Sequence, residues 1–179
     1  MKYLFVSDIH GSKESFDRIL DYCQELKIDK IIGLGDYLYH GPRNPIPEGY
    51  NPKDLALTIN EMPYEFLAVR GNCDAEVDQM VIKYPIMDTD KYIELNGFRF
   101  FLTHGHHFDE NNLPNVDFDV FVSGHTHIPV LKKVDGRVFL NPGSVTLPKG
   151  GNPKSFAILS DNDITIYDLE FNEMMKLKL

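Results

Sequence analysis

Seven side chains that can bind metal ions occur where the chain reverses direction, most of them next to a glycine. Gly124-His125-Thr126-His127 follows the apolar run 120–122 and precedes Pro129, so its two imidazoles should lie at the end of a buried strand. Imidazole is the commonest metal ligand in proteins, and two imidazoles at this spacing can converge on one small site. The five other donors are two carboxylates, two imidazoles and one amide, namely Asp8, His10, Asp36, Asn72 and His104.

Each of the seven residues has a simpler explanation when it is considered alone. The two histidines of the tetrapeptide could be exposed loop residues, Asp8 could cap a helix, and Asp36 or Asn72 could occupy turns. His104 could be a loop histidine with ordinary hydrogen-bond partners. The combined pattern favours metal binding, because five separate chain reversals would each have to carry a metal-binding residue by chance.

The donor set also restricts the kind of metal centre. It contains imidazole, carboxylate and amide groups but no thiolate, which favours Mn²⁺, with Zn²⁺, Ni²⁺, Co²⁺ and Fe²⁺ as alternatives. Seven donors are too many for one catalytic ion that keeps an open coordination position. They are sufficient for two ions if one carboxylate bridges them, so the sequence predicts a two-ion centre.

The elements that would position these donors follow from the hydrophobic periodicity. Apolar runs at 2–6, 30–34 and 64–69 predict strands, and Ser12 is a good cap for an amphipathic helix between the first two. A strand-helix-strand unit of this kind forms a parallel pair of strands. Because α/β proteins bind ligands at the carboxyl ends of their strands, the donors that follow these runs should meet.

Residues 39–52 are rich in proline and should form a long surface loop with a functional role. Asn51 and Pro52 predict the cap and the first residue of a second helix. A short helix is expected over 76–83. These elements complete the helical part of the chain.

The second half of the chain has a different pattern. The dipeptides Asn-Gly at 96–97 and Asp-Gly at 135–136 each separate two apolar runs and predict β-hairpins, and the turn 161–163 predicts a third. One α/β domain that spans 1–179 and contains two sheets accounts for both halves. No repeat, linker or low-complexity segment divides it.

The composition of the 179-residue chain is ordinary for a globular protein, with 42% hydrophobic and 25% charged residues. A formal net charge of −9 argues against long nucleic acids and anionic membranes as partners, because both require lysine and arginine. Cys23 and Cys73 have no paired-motif spacing, which favours a reducing, cytoplasmic location. No apolar run approaches transmembrane length, and the first residues lack the features of a signal peptide.

The order of these residues resembles the calcineurin-like metallophosphoesterases over nearly the full chain. The segments 40–44, 70–74, 103–106 and 141–144 resemble more specifically the small bacterial YfcE-type phosphodiesterases of that family. The resemblance implies an α/β fold with a two-sheet β-sandwich flanked by helices, the four-layer metallo-dependent phosphatase fold. The shared pattern is Asp8-x-His10, Gly35-Asp36, Gly71-Asn72-x-Asp74, His104 and Gly124-His125-x-His127.

The resemblance also divides the ligands between two ions that share Asp36. Two such ions can clamp a phosphoryl group and hold a bridging hydroxide for in-line attack on phosphorus, which implies hydrolysis of small phosphodiesters. A phosphomonoesterase or protein phosphatase would use the same site, and an inactive metal-binding interaction module would share the fold. The implied sets are Asp8, His10, Asp36 and His127 for one ion, and Asp36, Asn72, His104 and His125 for the other.

The segment Asn72-Cys73-Asp74 is implied to be catalytic. Many superfamily members have histidine at the position of Cys73, where it protonates the leaving group, and a thiol should give weaker general-acid help. Cys73 could instead only pack. Arg43 and Arg70 are expected to bind phosphate oxygens, although a loop contact for Arg43 and a structural ion pair for Arg70 are open alternatives.

Four further residues have weaker expectations. His40 could approach the substrate or support the proline-rich loop, His106 could lie behind the ligands, and His107 should be on the surface. Ser144 could orient one of the ligating histidines through a hydrogen bond. A homodimer or homotetramer is a common arrangement and stays open.

Overall fold

The computed structural model describes residues 1 to 179 and contains three helices and eleven strands. The predicted strand-helix-strand opening and the three predicted hairpins are present, and the last strand is the one that the sequence pattern did not predict. The helices are α1 (Lys13–Leu26), α2 (Pro52–Glu61) and α3 (Glu76–Val81). The strands are β1 (Lys2–Val6), β2 (Lys30–Gly33), β3 (Glu65–Ala68), β4 (Asp90–Leu95), β5 (Phe98–Thr103), β6 (Val120–Val122), β7 (Val130–Val134), β8 (Arg137–Asn141), β9 (Ser155–Ser160), β10 (Asp163–Asp168) and β11 (Glu173–Lys178).

The first two helices begin where the sequence predicts. The Ser12 side chain accepts a hydrogen bond from the Ser15 N–H, and the Asn51 side chain accepts one from the Asp54 N–H. Caps of this kind contribute ~1 kcal/mol each. Helix α3 is shorter than predicted, because Ile82 leaves helical geometry with φ of −98° and ψ of 125°. None of the three helices has the length and apolar character needed to cross a membrane.

Two mixed sheets form the sandwich. The six-stranded sheet has the order β11-β10-β9-β1-β2-β3, and the five-stranded sheet has the order β4-β5-β6-β8-β7. Strands β1, β2 and β3 run parallel, with Tyr3 opposite Lys30 and Lys30 opposite Glu65. Strands β5, β6 and β8 run parallel in the other sheet. Because parallel strands end at the same edge of a sheet, the loops that follow them are brought together.

The main hydrophobic core has two parts. A cluster of 16 buried residues lies between the sheets. A second cluster of 23 buried residues joins the outer face of the six-stranded sheet to the helices, with Phe16 and Ile19 from α1 and Leu55 and Ile59 from α2. Full burial of such a side chain contributes ~1.5–3 kcal/mol, so the two parts together hold the strand ends in a rigid frame.

The outer face of the five-stranded sheet has no helix against it. Phe101, Phe121 and Phe139 of that face pack with Phe118 in a separate small cluster, which the coil between β5 and β6 covers. The two-sheet α/β sandwich is therefore confirmed, but helices flank only one of its faces. The coil contains a glycine, a proline and three asparagines between residues 104 and 118, and these residues disfavour a helix.

Candidate metal centre

All seven predicted ligands meet at one end of the sandwich, in loops that follow parallel strands. Asn72 is exposed and His125 is partly exposed, whereas the other five are buried. The frame of parallel strands explains the convergence, since each loop leaves its sheet at the same edge. Asp8 and His10 follow β1, Asp36 follows β2, Asn72 follows β3, His104 follows β5, and His125 and His127 follow β6.

One group of ligands surrounds a single oxygen of Asp8. Asp8 Oδ1 lies 3.3 Å from His127 Nε2 and 3.7 Å from His10 Nε2, and the two imidazole nitrogens are 3.3 Å apart. The other oxygen, Oδ2, accepts hydrogen bonds from Ser7 Oγ at 2.7 Å and from the His125 N–H at 3.0 Å. Oδ1 is buried and has no hydrogen-bond partner, which is the condition expected of an oxygen that binds a cation.

A second group is built around His104. Its Nε2 lies 3.0 Å from Asn72 Oδ1, 3.3 Å from His125 Nδ1 and 3.5 Å from Asp36 Oδ2. Asp36 Oδ2 is also 3.7 Å from His10 Nε2, which belongs to the first group. Asp36 therefore stands between the two groups, as its implied bridging role requires.

These separations fit metal coordination. Nitrogen and oxygen ligands bound ~2.1 Å from one ion stand roughly 3.0–3.4 Å apart in octahedral or tetrahedral geometry. The distances between donors in the two groups run from 3.0 to 3.7 Å. The side chains could thus accept ions with only small adjustments, and the uncommitted oxygen of Asp8 faces the same space.

Backbone carbonyls fix the orientation of three of the four imidazoles. A carbonyl oxygen can only accept a hydrogen bond, so the Nδ1 atom of each ring carries a proton, and in the neutral form of the ring the Nε2 lone pair faces the centre. This is the arrangement that a neutral histidine needs to bind a metal. The contacts are His10 Nδ1 to Tyr39 O at 2.9 Å, His104 Nδ1 to Leu34 O at 2.6 Å, and His127 Nδ1 to Leu147 O at 2.5 Å.

The electrostatics of the centre favour positive charge. Burial by itself raises the pKa of Asp8, but the adjacent His127 and His104 imidazoles hold that pKa below its usual range. The pKa of Asp36 is likewise lowered against the effect of burial, chiefly by His104. Burial would lower the pKa of His104, yet the two carboxylates raise it to about 9. Two ionised carboxylates thus stabilise a cation at this place.

Five of the seven predicted ligands have left-handed backbone geometry. The φ angles are 54° for Asp8, 48° for His10, 59° for Asp36, 66° for His125 and 60° for His127. For residues other than glycine this conformation costs ~1–2 kcal/mol each, and such strain concentrates at functional sites. Hydrogen bonds between the loops hold the geometry, including that from the His10 N–H to the Asp36 carbonyl at 2.9 Å.

Two glycines allow the loops to approach each other closely. A Cβ atom on Gly71 would lie 2.1 Å from Asp36 Oδ1 and 2.3 Å from Asp36 N. A Cβ atom on Gly124 would lie 1.9 Å from Ser7 Oγ. These contacts explain why glycine directly precedes Asn72 and His125.

Asp74 and Arg70 do not lie where their predicted roles require. The Asp74 carboxylate is buried and accepts N–H hydrogen bonds from Asp36 and Tyr37 at 2.8 Å each and from Gly71 at 2.6 Å. Arg70 Nε donates to the Asp74 carbonyl at 3.1 Å, and Arg70 does not line the cavity at the metal centre. The Asp74 carboxylate thus holds the backbone of the ligand loops, and Arg70 contacts the backbone of the same segment.

Cys73 and Arg43 do line that cavity, which has a volume of about 710 Å³. The Cys73 sulfur belongs to a set with His10 and Asp36 whose potential ligand atoms all lie within 4.8 Å of one another. Burial and the nearby Asp36 carboxylate raise the pKa of the Cys73 thiol to about 12, so it keeps its proton at neutral pH. Lys149 also lines the cavity, and the sequence prediction missed it because a single lysine before two glycines gives only a weak signal.

Ser144 supports a ligating histidine, His127, indirectly and does not contact its ring. Its hydroxyl donates to the Asp8 carbonyl at 2.8 Å and accepts the Leu147 N–H at 2.9 Å. The Leu147 carbonyl, in turn, accepts the His127 Nδ1–H. Ser144 therefore fixes the turn that holds His127 instead of contacting the imidazole.

The remaining histidines lie around the centre. The ring of His106 is 5.3 Å from that of His104, and burial lowers the pKa of His106 to about 4. His107 is exposed and packs against His106, as a surface residue would. The ring of His40 packs between Tyr39 and Tyr50, with centroid distances of 4.8 and 5.3 Å, and does not line the metal cavity. This position favours the loop-supporting role of His40.

The chain belongs to the calcineurin-like phosphoesterase superfamily, whose domain model matches residues 1–163. Phosphodiesterase YfcE of Escherichia coli is 49% identical to it over 166 residues, which cover 92% of this chain and 89% of YfcE. Probable metallophosphoesterase YsnB of Bacillus subtilis is 29% identical over 190 residues, covering 99% of this chain and 97% of YsnB. The solved structure of the E. coli phosphoesterase YfcE matches with a TM-score of 0.96 and 42% identity over 99% of both chains. The family resemblance seen in the sequence is confirmed.

Proposed function

We propose that this protein is a metal-dependent phosphodiesterase that hydrolyses small phosphodiesters at the centre described above. The position of Asp36 carries the proposal: its Oδ2 lies 3.7 Å from His10 Nε2 and 3.5 Å from His104 Nε2. One carboxylate thus faces an imidazole of each group, as a residue shared by two ions would. The name of the 49% identical relative, phosphodiesterase YfcE, supports the same activity.

Two divalent ions, with Mn²⁺ as the leading choice, are the proposed cofactors. When bound, such ions lower the pKa of a coordinated water and neutralise charge on the phosphoryl oxygens. The orphaned Asp8 oxygen and the donor separations of 3.0 to 3.7 Å support this use of the side chains. Asp8, His10, Asp36 and His127 would hold one ion, and Asp36, Asn72, His104 and His125 the other.

Other residues of the cavity position the substrate. Arg43 and Lys149 line it together and would bind phosphate oxygens, since guanidinium and ammonium groups pair with phosphate. Cys73 keeps its proton beside Asp36 and is the group proposed to stand near the leaving oxygen. Because a thiol with so high a pKa gives up its proton reluctantly, esters with good leaving groups should be preferred.

The proposal extends to partners and location. A net charge of −9 makes a small phosphodiester a better substrate than a long nucleic acid. We also propose that the protein is located in the cytoplasm and that it forms a homodimer or homotetramer.

Turnover of bis(p-nitrophenyl) phosphate and p-nitrophenyl phosphate with Mn²⁺, Ni²⁺, Co²⁺ and Zn²⁺ tests the proposal. The diester should be hydrolysed faster than the monoester, and only in the presence of an added ion. Asp36→Ala should lose the activity, whereas the exposed Asp21→Asn, a carboxylate change outside the centre, should keep it. Faster monoester turnover would favour a phosphomonoesterase, and activity in Asp36→Ala would rule out the bridging assignment.

A further inference from the structure

A second cavity lies beside the metal centre and has a different chemical character. Its volume is about 670 Å³, within the range of small-molecule sites, and nine of its twelve lining residues are hydrophobic. The proline-rich loop forms one wall through Tyr50, and helix α2 contributes Ala56 and Leu57. Helix α3 contributes Val77 and Val81. The cavity at the metal centre, in contrast, has only three hydrophobic residues among thirteen.

The two cavities are neighbours. Tyr39, Cys73 and Ala75 line both of them. The Cys73 sulfur lies within 4.8 Å of potential ligand atoms of His10 and Asp36. The apolar cavity therefore begins one side chain away from the proposed metal ligands, and a molecule bound at the ions could extend into it.

The apolar walls are exposed to water to an unusual degree. Tyr39 is 42% exposed, Leu57 49%, Val77 62% and Val81 51%. Burial of such surface is favourable, and apolar patches on a protein surface mark places where another molecule binds. The two charged residues that line this apolar cavity, Lys53 and Asp78, have opposite signs. The cavity, called the apolar groove below, therefore attracts neither anions nor cations strongly.

We propose that this groove binds one apolar ester arm, alkyl or aryl, of a phosphodiester whose phosphate lies at the metal centre. This inference rests on the proposed function and narrows its substrate class to diesters with a large apolar substituent. Because Cys73 lines both cavities, a substrate arm is favoured over a second protein chain as the occupant. Diesters whose two arms are both polar would leave the groove unfilled.

Calorimetric binding of methylphosphonate and octylphosphonate to the Mn²⁺-loaded protein tests the proposal, since neither compound contains a bond that the enzyme hydrolyses. Octylphosphonate should bind at least ~10-fold more tightly, because several methylene groups leave water in the groove. Val81→Asp should remove most of this advantage. Met80→Asp is the matched control, because Met80 is 84% exposed on the same helix and does not line the groove. The exposure of both side chains means that neither variant should unfold.

Equal affinity for the two phosphonates would overturn the proposal, as would equal effects of the two variants. A change of oligomeric state in Val81→Asp that leaves the octyl advantage intact would assign the groove to a second copy of the chain instead. Hydrolysis of bis(p-nitrophenyl) phosphate by the same preparation distinguishes a failure of the apolar groove proposal from a failure of the proposed phosphodiesterase function. If hydrolysis occurs without a chain-length effect, only the apolar subsite is wrong; if neither hydrolysis nor methylphosphonate binding occurs, the proposed function is wrong.

Discussion

Most of the residues other than glycine that have left-handed backbone geometry lie in two regions of this protein, the hairpin turns and the metal centre, and the cause differs between them. In the hairpin turns this geometry falls on Asn96, Asp135 and Asp161, with φ of 49°, 49° and 51°. Asparagine and aspartate tolerate this conformation, so the geometry of the turn accounts for the residue type at these three positions. At the metal centre the same conformation falls on Asp8, His10, Asp36, His125 and His127, with φ between 48° and 66°.

At the centre, the proposed ligand role accounts for the residue type better than the backbone geometry does. Histidine has no preference for left-handed geometry as strong as that of glycine, and each strained residue costs ~1–2 kcal/mol. The surrounding core and the hydrogen bonds between loops keep the strained residues in place. The hairpin turns fit the fold without conflict, whereas the loops of the metal centre use part of the stability of the fold to bring the donors together.

Among the substitutions that distinguish the metal centre from the hairpin turns, Gly71→Ala should have the largest effect. Its Cβ would lie 2.1 Å from Asp36 Oδ1 and must displace the proposed bridging carboxylate. We expect diester turnover to fall at least ~100-fold, more than the loss typical of residues that only support a ligand, and stability to fall by ~1–3 kcal/mol. Turnover and urea unfolding measure the two effects.

Gly97→Ala is the control in the hairpin region. Gly97 has a φ of +87°, but a Cβ there would have no atom within 4 Å. The variant should lose ~1 kcal/mol of stability from backbone strain and keep full turnover. Equal losses of turnover in the two variants would show that close packing at Gly71 has no special role.

Cys73→His tests a residue of the centre whose backbone is not left-handed. An imidazole can donate a proton more readily than a thiol whose pKa is about 12, so diesters with alkyl leaving groups should gain roughly tenfold relative to aryl ones. Cys73→Ser provides the control, because it changes the thiol without adding an imidazole. An unchanged alkyl-to-aryl ratio in Cys73→His would show that this position only packs.

A smaller effect should appear when His125 is replaced by glycine or by alanine. Both variants lose the imidazole, but only glycine relieves the φ of 66°. We therefore expect His125→Gly to be more stable than His125→Ala by ~1 kcal/mol in the presence of a chelator. His107, exposed and without left-handed geometry, should show the opposite order. The same order at both positions would contradict the strain assigned to His125.

Most of the fold could be predicted from the sequence, because the local signals for helix caps and hairpin turns agree with the tertiary structure. Ser12 and Asn51 cap their helices as expected, and the glycine-containing turns at 96–97 and 135–136 form hairpins. Strand β11 was missed because the turn before it, 169–172, contains neither glycine nor proline. The coil on the five-stranded sheet was also missed, because the family resemblance implied helices on the outer faces of the sandwich.

The sequence predicted the ligands better than the residues that support them. The donor types of Asp8 or His104 are visible in the sequence, and the structure brings them together. The position of Asp74 could not be predicted, because its partners are three backbone N–H groups that only the folded loops bring together. Lys149 reaches the cavity through the path of the chain after β8, which no local pattern determines.

Anomalous diffraction from crystals of the Mn²⁺-loaded protein tests directly whether two ions share Asp36. We predict two peaks roughly 3.5–4 Å apart with the Asp36 carboxylate between them. In His127→Ala the peak beside Asp8 should weaken, and in His125→Ala the peak beside Asn72 should weaken. A single peak in the unmodified protein, or two peaks without contact to Asp36, would contradict the account.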